Sequence, residues 1–389
     1  MTHPTRESSI EEYLATAFPL IQEHREWFHA HPERAHEEMQ TTNEIERILQ
    51  SFGYVPRGVA GGVVAETSPH GPYRAYRADI DALPIQEIGG RSYGSTVPGM
   101  MHACGHDGHI AIALAIARWA ITHTDELPHP VRFIFQPAEE TASGARPMIE
   151  EGVLDDVRDI LGVHLWSPLD VGTVVIHNGA IFGNVDRFDV VVHGKGGHGG
   201  LPHRTKDPVV AASHMVTALQ SIVSRRIAPF DIGVVTVGRI AGGTAFNIVP
   251  DEVELEGTIR TFDVHVQDVI HTELTRIISG IASAWGVDAD IHIRKDCPAV
   301  VNHPMMTARA RKACHAVAPR LMETATDPVT VGDDMAFFHE KVPGCYLLVG
   351  SGNGSMTDRE HHQCAFDLDP RALPLAAELC IRTLLELDE

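Results

Sequence analysis

VRFIFQPAEE (131–140) reads as a strand of β-branched and aromatic residues over 131–135, closed by Pro137 and followed at once by two glutamates, Glu139 and Glu140. The same arrangement occurs twice more. YRAYRA (73–78), a strand over 74–78, runs into Asp79 and Asp81, and DILGV (159–163) runs into His164. HIAIALAIARWAITH (109–123) is too long and too uniformly apolar for a strand and reads as a buried helix. Residues 11–29 form an amphipathic helix, and residues 42–52 a second one stopped by Gly53. This alternation predicts an α/β domain with a largely parallel sheet flanked by helices. In such sheets ligands gather at the carboxyl ends of the strands. The acids and the histidine are therefore aimed at one crevice.

The pattern changes near Asn184. Residues 188–193 (FDVVVH) alternate as a strand and lead into the glycine-rich GKGGHGG (194–200). Asp207 and Pro208 then supply a helix N-cap and first helical residue, with Val209, Ala212, Val216, Leu219 and Val223 at helical spacing. Strands over 233–238 and 252–262, a helix over 266–285 and a strand over 290–294 follow. This β-α-β-β-α-β order predicts a small α+β domain of ferredoxin-like type. A helix over 305–317 and a strand over 345–349 resume the first pattern. The expected division is a catalytic domain built from 1–184 and 297–389, interrupted by an insertion at 185–296.

With 389 residues, 43% hydrophobic and 21% charged, the chain has globular composition. Its 31 basic against 52 acidic residues, a formal charge of −21, argue against a nucleic-acid partner. No apolar run approaches the roughly 20 residues of a membrane span. MTHPTRESSIEEYLATAF at the N-terminus lacks a leader's basic-then-apolar order, so a cytoplasmic protein is expected. There the six scattered cysteines would stay thiols.

MMHACGHDGH (100–109) sets one cysteine and three histidines just ahead of the buried helix. Thiolate, imidazole and carboxylate are the usual transition-metal ligands, and Cys104 and His106 can turn toward one ion across Gly105. A cysteine there could equally be a small core residue. The glutamates after strand 131–135 and His164 at another strand end favour the metal. Of Glu139 and Glu140, one can ligate while the other serves as general base; the residues alone leave the division open.

FHAHPE (28–33), RADIDALPI (77–85), GMMHACGHDGH (99–109), QPAEE (136–140), GVHLW (162–166), GKGGHGGLPH (194–203) and FNIVPDEVELEGTIRT (246–261), in that order, resemble the M20 metallopeptidase superfamily over nearly the whole chain. The resemblance is to its aminoacylase and hippurate hydrolase branch, which includes plant auxin-conjugate hydrolases. It implies a metal-dependent amidohydrolase that cleaves N-acyl-amino acids, with two divalent ions per subunit, manganese or zinc, with cobalt or nickel as further options. Cys104, His106, Glu140, His164 and His362 match the ligands, Glu139 the base, and Asp79 a carboxylate that orients a ligand. His362 is selected because it lies four residues before Phe366, which precedes Asp367; His361 is its competitor. The family's Glu-Asp-Phe appears here as Asp333, Asp334 and Met335, a departure that bears on the acyl pocket.

The resemblance further implies a homodimer. The insertion would be its dimerisation and lid domain, with His198 as an oxyanion donor in the partner's site and Asn247 as another polar contact. Arg260 is a candidate to hold a substrate carboxylate bidentately. Its plainer role is to neutralise Glu252, Glu254 and Glu256 on the same strand face. Two ions about 3.5–4 Å apart would lower the pKa of a water toward 7 for Glu139 to deprotonate. The alternatives are a dipeptidase, an N-acetyl-diamino-acid deacetylase, or a catalytically silent metal-binding scaffold. Retention of Glu139 argues against the last.

Overall fold

Tyr73–Asp79, Val131–Gln136, Val157–Asp170 and Gly344–Gly352 run parallel at the centre of an eight-stranded sheet. Gly62–Glu66 and Arg57–Val59 extend one edge antiparallel; Thr173–Val175 and Met322–Glu323 form the other. Three of the central strands are buried along their whole length, as a parallel sheet covered on both faces requires. Tyr76, Phe133, Leu161 and Leu347 share the main core with helices Arg6–Ala30, Met39–Phe52, His106–Thr122, Pro304–Val317 and Ala372–Leu385. The computed structural model describes residues 6–354 and 359–387; the first five residues of the stretch read for a leader lie outside them. Among the described residues no helix is long and apolar enough to cross a membrane.

Register fixes the site. Asp79 lies opposite Gln136, and Arg77 opposite Gly162, so His164 comes level with Asp79. The sequence reading ends the third strand before His164, yet the strand continues to Asp170. It continues because residues beyond His164 still find ladder partners: Leu165 faces Val349 and Trp166 faces Gly350. His164 thus projects from mid-strand, a stiffer mount than a loop. The glutamate pair sits just past its own strand end.

The chain divides into two compact units, one of Met1–Gly179, Val301–Asp327 and Asp333–Glu389, the other of Ala180–Val300 and Pro328–Gly332. In the second, four antiparallel strands stand in the order Gly233–Ala241, Glu252–Thr261, Val185–His193, Asp288–Cys297. Helices Pro208–Arg225 and Val264–Trp285 pack on them through Met215, Leu219, Ile270 and Leu274. That is the ferredoxin-like order. Asp207 caps the first helix by accepting from the amides of Val209 (2.9 Å) and Val210 (3.3 Å). Asp207→Ala is expected to cost about 1 kcal/mol, read as a lower denaturation midpoint at unchanged slope. An unmoved midpoint would show that the cap contributes nothing.

Candidate metal centre

Gly105 takes a left-handed conformation (φ 92°) directly before the His106–Thr122 helix, and this turn sets Cys104 and His106 on one side. His106 is wholly buried. Its Nδ1 lies 2.9 Å from the Asp81 carbonyl oxygen, to which it donates, so in the neutral ring it is Nε2 that carries the lone pair. Nε2 has no hydrogen-bond partner. Around it stand Asp79 (3.8 Å), Glu139 (3.8 Å) and Glu140 (3.9 Å). His164 donates through Nδ1 to the Leu165 carbonyl (2.9 Å), which turns its Nε2 toward Cys104 Sγ, 3.6 Å away.

The chain returns to this place near its end. The His362 amide donates to the Ala103 carbonyl (2.8 Å), and its ring Nε2 approaches Glu140 to 3.3 Å. His361 instead packs its ring among His164, Trp166 and Phe366, at centroid distances of 5.1, 4.6 and 5.0 Å. Burial and the neighbouring histidines push it down to about 3, so it stays neutral. Ligand atoms of Cys104, His106 and His164 lie within 4.8 Å of one another. The same holds for Cys104, Glu140 and His362, for His106, Glu139 and Glu140, and for Glu139, Asp333 and Asp334.

This donor set fits divalent ions. It offers thiol, imidazole and carboxylate together, with an unpartnered His106 Nε2 and an unpartnered Glu140 Oε1 at its centre. Burial, Asp333 and Glu140 push the Glu139 carboxyl well above its ordinary range. Burial and the two glutamates do the same to the Cys104 thiol. Burial acts to lower His106, but Asp79 and Asp81 outweigh it and hold the imidazole up to about 10. Each of these shifts is one that a bound cation reverses.

Asp79 was expected to orient a ligand. Its Oδ1 holds His109 Nδ1 (2.5 Å) and its other oxygen takes Arg77 (2.6 Å), while the bond that orients His106 comes from Asp81. Asp81 also accepts from the amides of Glu139 and Glu140, both at 3.1 Å. Its place two residues past Asp79 after a strand was the signal for it. Arg77 counters the acids, reaching Gln136 (2.8 Å), Asp334 (3.0 Å) and Asp333 (3.2 Å). Asp334 accepts from Gln136 (2.6 Å) and the Ala145 amide (3.0 Å), so it braces the glutamate loop. A buried arginine and a second acidic pair carry no periodicity that marks them in sequence.

His198, Asn247 and Arg260 belong to the second unit. His198 is exposed on the short strand Gly197–His198, paired with Ile248–Val249. Its Nδ1 accepts from the Gly200 amide (2.9 Å), so the neutral ring carries its proton on Nε2. Asn247, also exposed, accepts from the Gly199 amide through its backbone carbonyl (2.8 Å), which leaves the side-chain amide unused in that bond. Two of the three glutamates beside Arg260 are paired with other arginines: Arg239 takes Glu254 (2.8 Å) and Glu256 (2.6 Å), and Arg187 takes Glu256 (3.2 Å), while Glu252 meets His193 (3.1 Å). Among the described residues Arg260 bonds the Thr258 hydroxyl and the Ile259 carbonyl (3.0 Å). Among the described residues it has no carboxylate partner.

A largely parallel α/β sheet with thiol, imidazole and carboxylate donors gathered around one buried pocket is the arrangement of a metal-binding hydrolase. The chain belongs to peptidase family M20/M25/M40, whose pattern it matches over residues 75–386. It is 40% identical over 356 residues to N-acetylcysteine deacetylase of Bacillus subtilis, spanning 90% of this chain and 92% of that protein. It is 40% identical over 284 residues to N-acyl-L-amino acid amidohydrolase of Geobacillus stearothermophilus, spanning 72% and 77%. Its fold superposes on YXEP of Bacillus subtilis, a dinuclear metal-binding peptidase of the M20 family, with TM-score 0.85 and 34% identity, covering 95% of this chain and 98% of that one.

Proposed function

We propose that this chain hydrolyses the amide bond of N-acyl-amino acids, releasing a carboxylate and a free amino acid. The observation that carries this reading is the buried Glu139 carboxyl beside a pocket of metal-type donor atoms. Deacetylase and acyl-amino-acid hydrolase relatives at 40% identity support it. Cys104, His106, Glu140, His164 and His362 hold two divalent ions, manganese or zinc. Such ions supply a water acidified toward neutrality and a Lewis acid for the carbonyl. Glu140 is assigned as ligand because its carboxylate groups with both Cys104 and His362. Glu139 takes the proton of the attacking water and returns it to the departing amine. Arg260, which has no ion-pair partner among the described residues and feels Asp186 and Asp296 only at longer range, holds the substrate carboxylate.

The second unit is the dimerisation domain in this reading. Its outer strand Gly233–Ala241 has one edge unpaired among the described residues, the kind of surface a second copy can extend. From there His198 Nε2–H and the Asn247 amide serve as donors to the partner's substrate. A cytoplasmic setting keeps the cysteines out of disulfides.

Amine release from N-acetyl- and N-benzoyl-amino acids should appear with added manganese, vanish with chelator and return on reloading. Dipeptides assayed in parallel separate the acylase from the dipeptidase. In the cobalt-loaded protein Cys104 should give a sulfur-to-metal charge-transfer band in the near ultraviolet, lost in Cys104→Ser. An unchanged band in that variant removes Cys104 from the ligand set.

A further inference from the structure

The segment HPERAHEE (31–38) has no role in the chemistry above, yet it carries two glutamates in unusual positions. Glu38 occupies the N-cap of the Met39–Phe52 helix but makes no side-chain cap bond there. The capping falls to Glu33, whose carboxylate accepts from the amides of Gln40 (3.0 Å) and Thr41 (2.8 Å). Glu38 is thereby released to turn away from its own helix. Only 4% exposed, it accepts through Oε1 from the amide of Ala138, a buried bond of 2.8 Å.

Ala138 is the residue immediately before the Glu139–Glu140 pair. It sits in the left-handed region (φ 54°), as does Ala142 (φ 50°), a conformation that costs an alanine free energy unless its surroundings enforce it. At the end of the same turn a Cβ on Gly144 would collide with the Pro137 carbonyl. Three consecutive amides of this turn are held by carboxylates: Ala138 by Glu38, Glu139 and Glu140 by the two oxygens of Asp81. The Glu33 carbonyl also accepts from the Ala82 amide (2.7 Å), one residue past Asp81. The 33–38 segment is therefore docked on both neighbours of the glutamate pair.

We infer that Glu38 is a positioning residue: its buried carboxylate clamps the Ala138 amide and so fixes the left-handed turn that aims Glu139 and Glu140 at the donor pocket. The kinetic consequence rests on the proposed amidohydrolase reading; the structural consequence does not. Glu38→Gln keeps an oxygen that can accept from Ala138, whereas Glu38→Met fills the same space without one. A role in packing alone makes the two variants equivalent.

The test uses the full-length protein with three readouts. By amide hydrogen exchange, Ala138 should be protected in the wild type and exchange roughly tenfold faster in Glu38→Met, with Glu38→Gln near wild type and the 39–52 helix unchanged. Titration with manganese should show weaker binding in Glu38→Met than in Glu38→Gln, because Glu140 is misplaced. In turnover of an N-acyl-amino acid, Glu38→Met should lose about 10- to 100-fold in kcat at near-normal KM, the effect of a misaimed base. Fast exchange at Ala138 in the wild type overturns the inference, as do Gln and Met variants alike in exchange and manganese affinity. Absence of hydrolysis by the wild type sinks the proposed function instead, and leaves exchange and metal titration to decide on Glu38.

Discussion

Glu139→Gln is expected to bind metal as the wild type does and to lose about 10²–10⁴ in kcat, the range a positioned general base contributes. The change is nearly isosteric, so the turn held by Asp81 stays intact, since that contact runs through the Glu139 amide and not its side chain. What disappears is a carboxylate lying 3.8 Å from His106 Nε2 and grouped with Asp333 and Asp334. Glu140→Gln should do the opposite and lower metal occupancy, because Glu140 faces His362 and groups with Cys104. Metal content by elemental analysis beside kcat separates the two. Full occupancy in Glu140→Gln, with loss in Glu139→Gln, would reverse the assignment.

Much of this centre was legible because strand ends announce themselves. Asp79 and the glutamate pair each follow a short run that only a buried strand explains, and register then brings Asp79 level with His164. The insertion was readable because Asp207 and the alternation of residues 252–261 obey local rules that tertiary packing did not override. Less legible was whatever depends on a contact between distant segments. The third strand outran its apparent end because Gly344–Gly352 lies beside it, and no local signal at Leu165 or Trp166 foretells that partner. Glu38 carries no local signal of its role, because what it bonds is a loop a hundred residues away. Arg260 faces glutamates on its own strand, and only the neighbouring strands show that Arg187 and Arg239 pair with Glu254 and Glu256. His361 and His362 differ in sequence only by one position, and it takes packing against Trp166 on one side and Glu140 on the other to tell them apart.

Co-expressed Glu139→Ala and His198→Ala chains, purified as mixed dimers by two tags, are expected to recover activity that neither homodimer shows. The expectation follows from the proposed trans placement of His198. Its ring is exposed, and with Nδ1 engaged by Gly200 the neutral imidazole presents an Nε2–H donor outward. A donor aimed at a developing oxyanion is worth about 10²–10³ in kcat, so His198→Ala alone should be close to inactive. In the mixed dimer one site lacks both residues, while the other combines the intact Glu139 of one chain with the intact His198 of its partner. A symmetric dimer then returns about half the wild-type rate. If His198 served the site of its own chain, each site would lack one residue and the mixed dimer would stay inactive. Inactive mixed dimers with normal metal content, or a fully active monomer, would overturn the trans assignment.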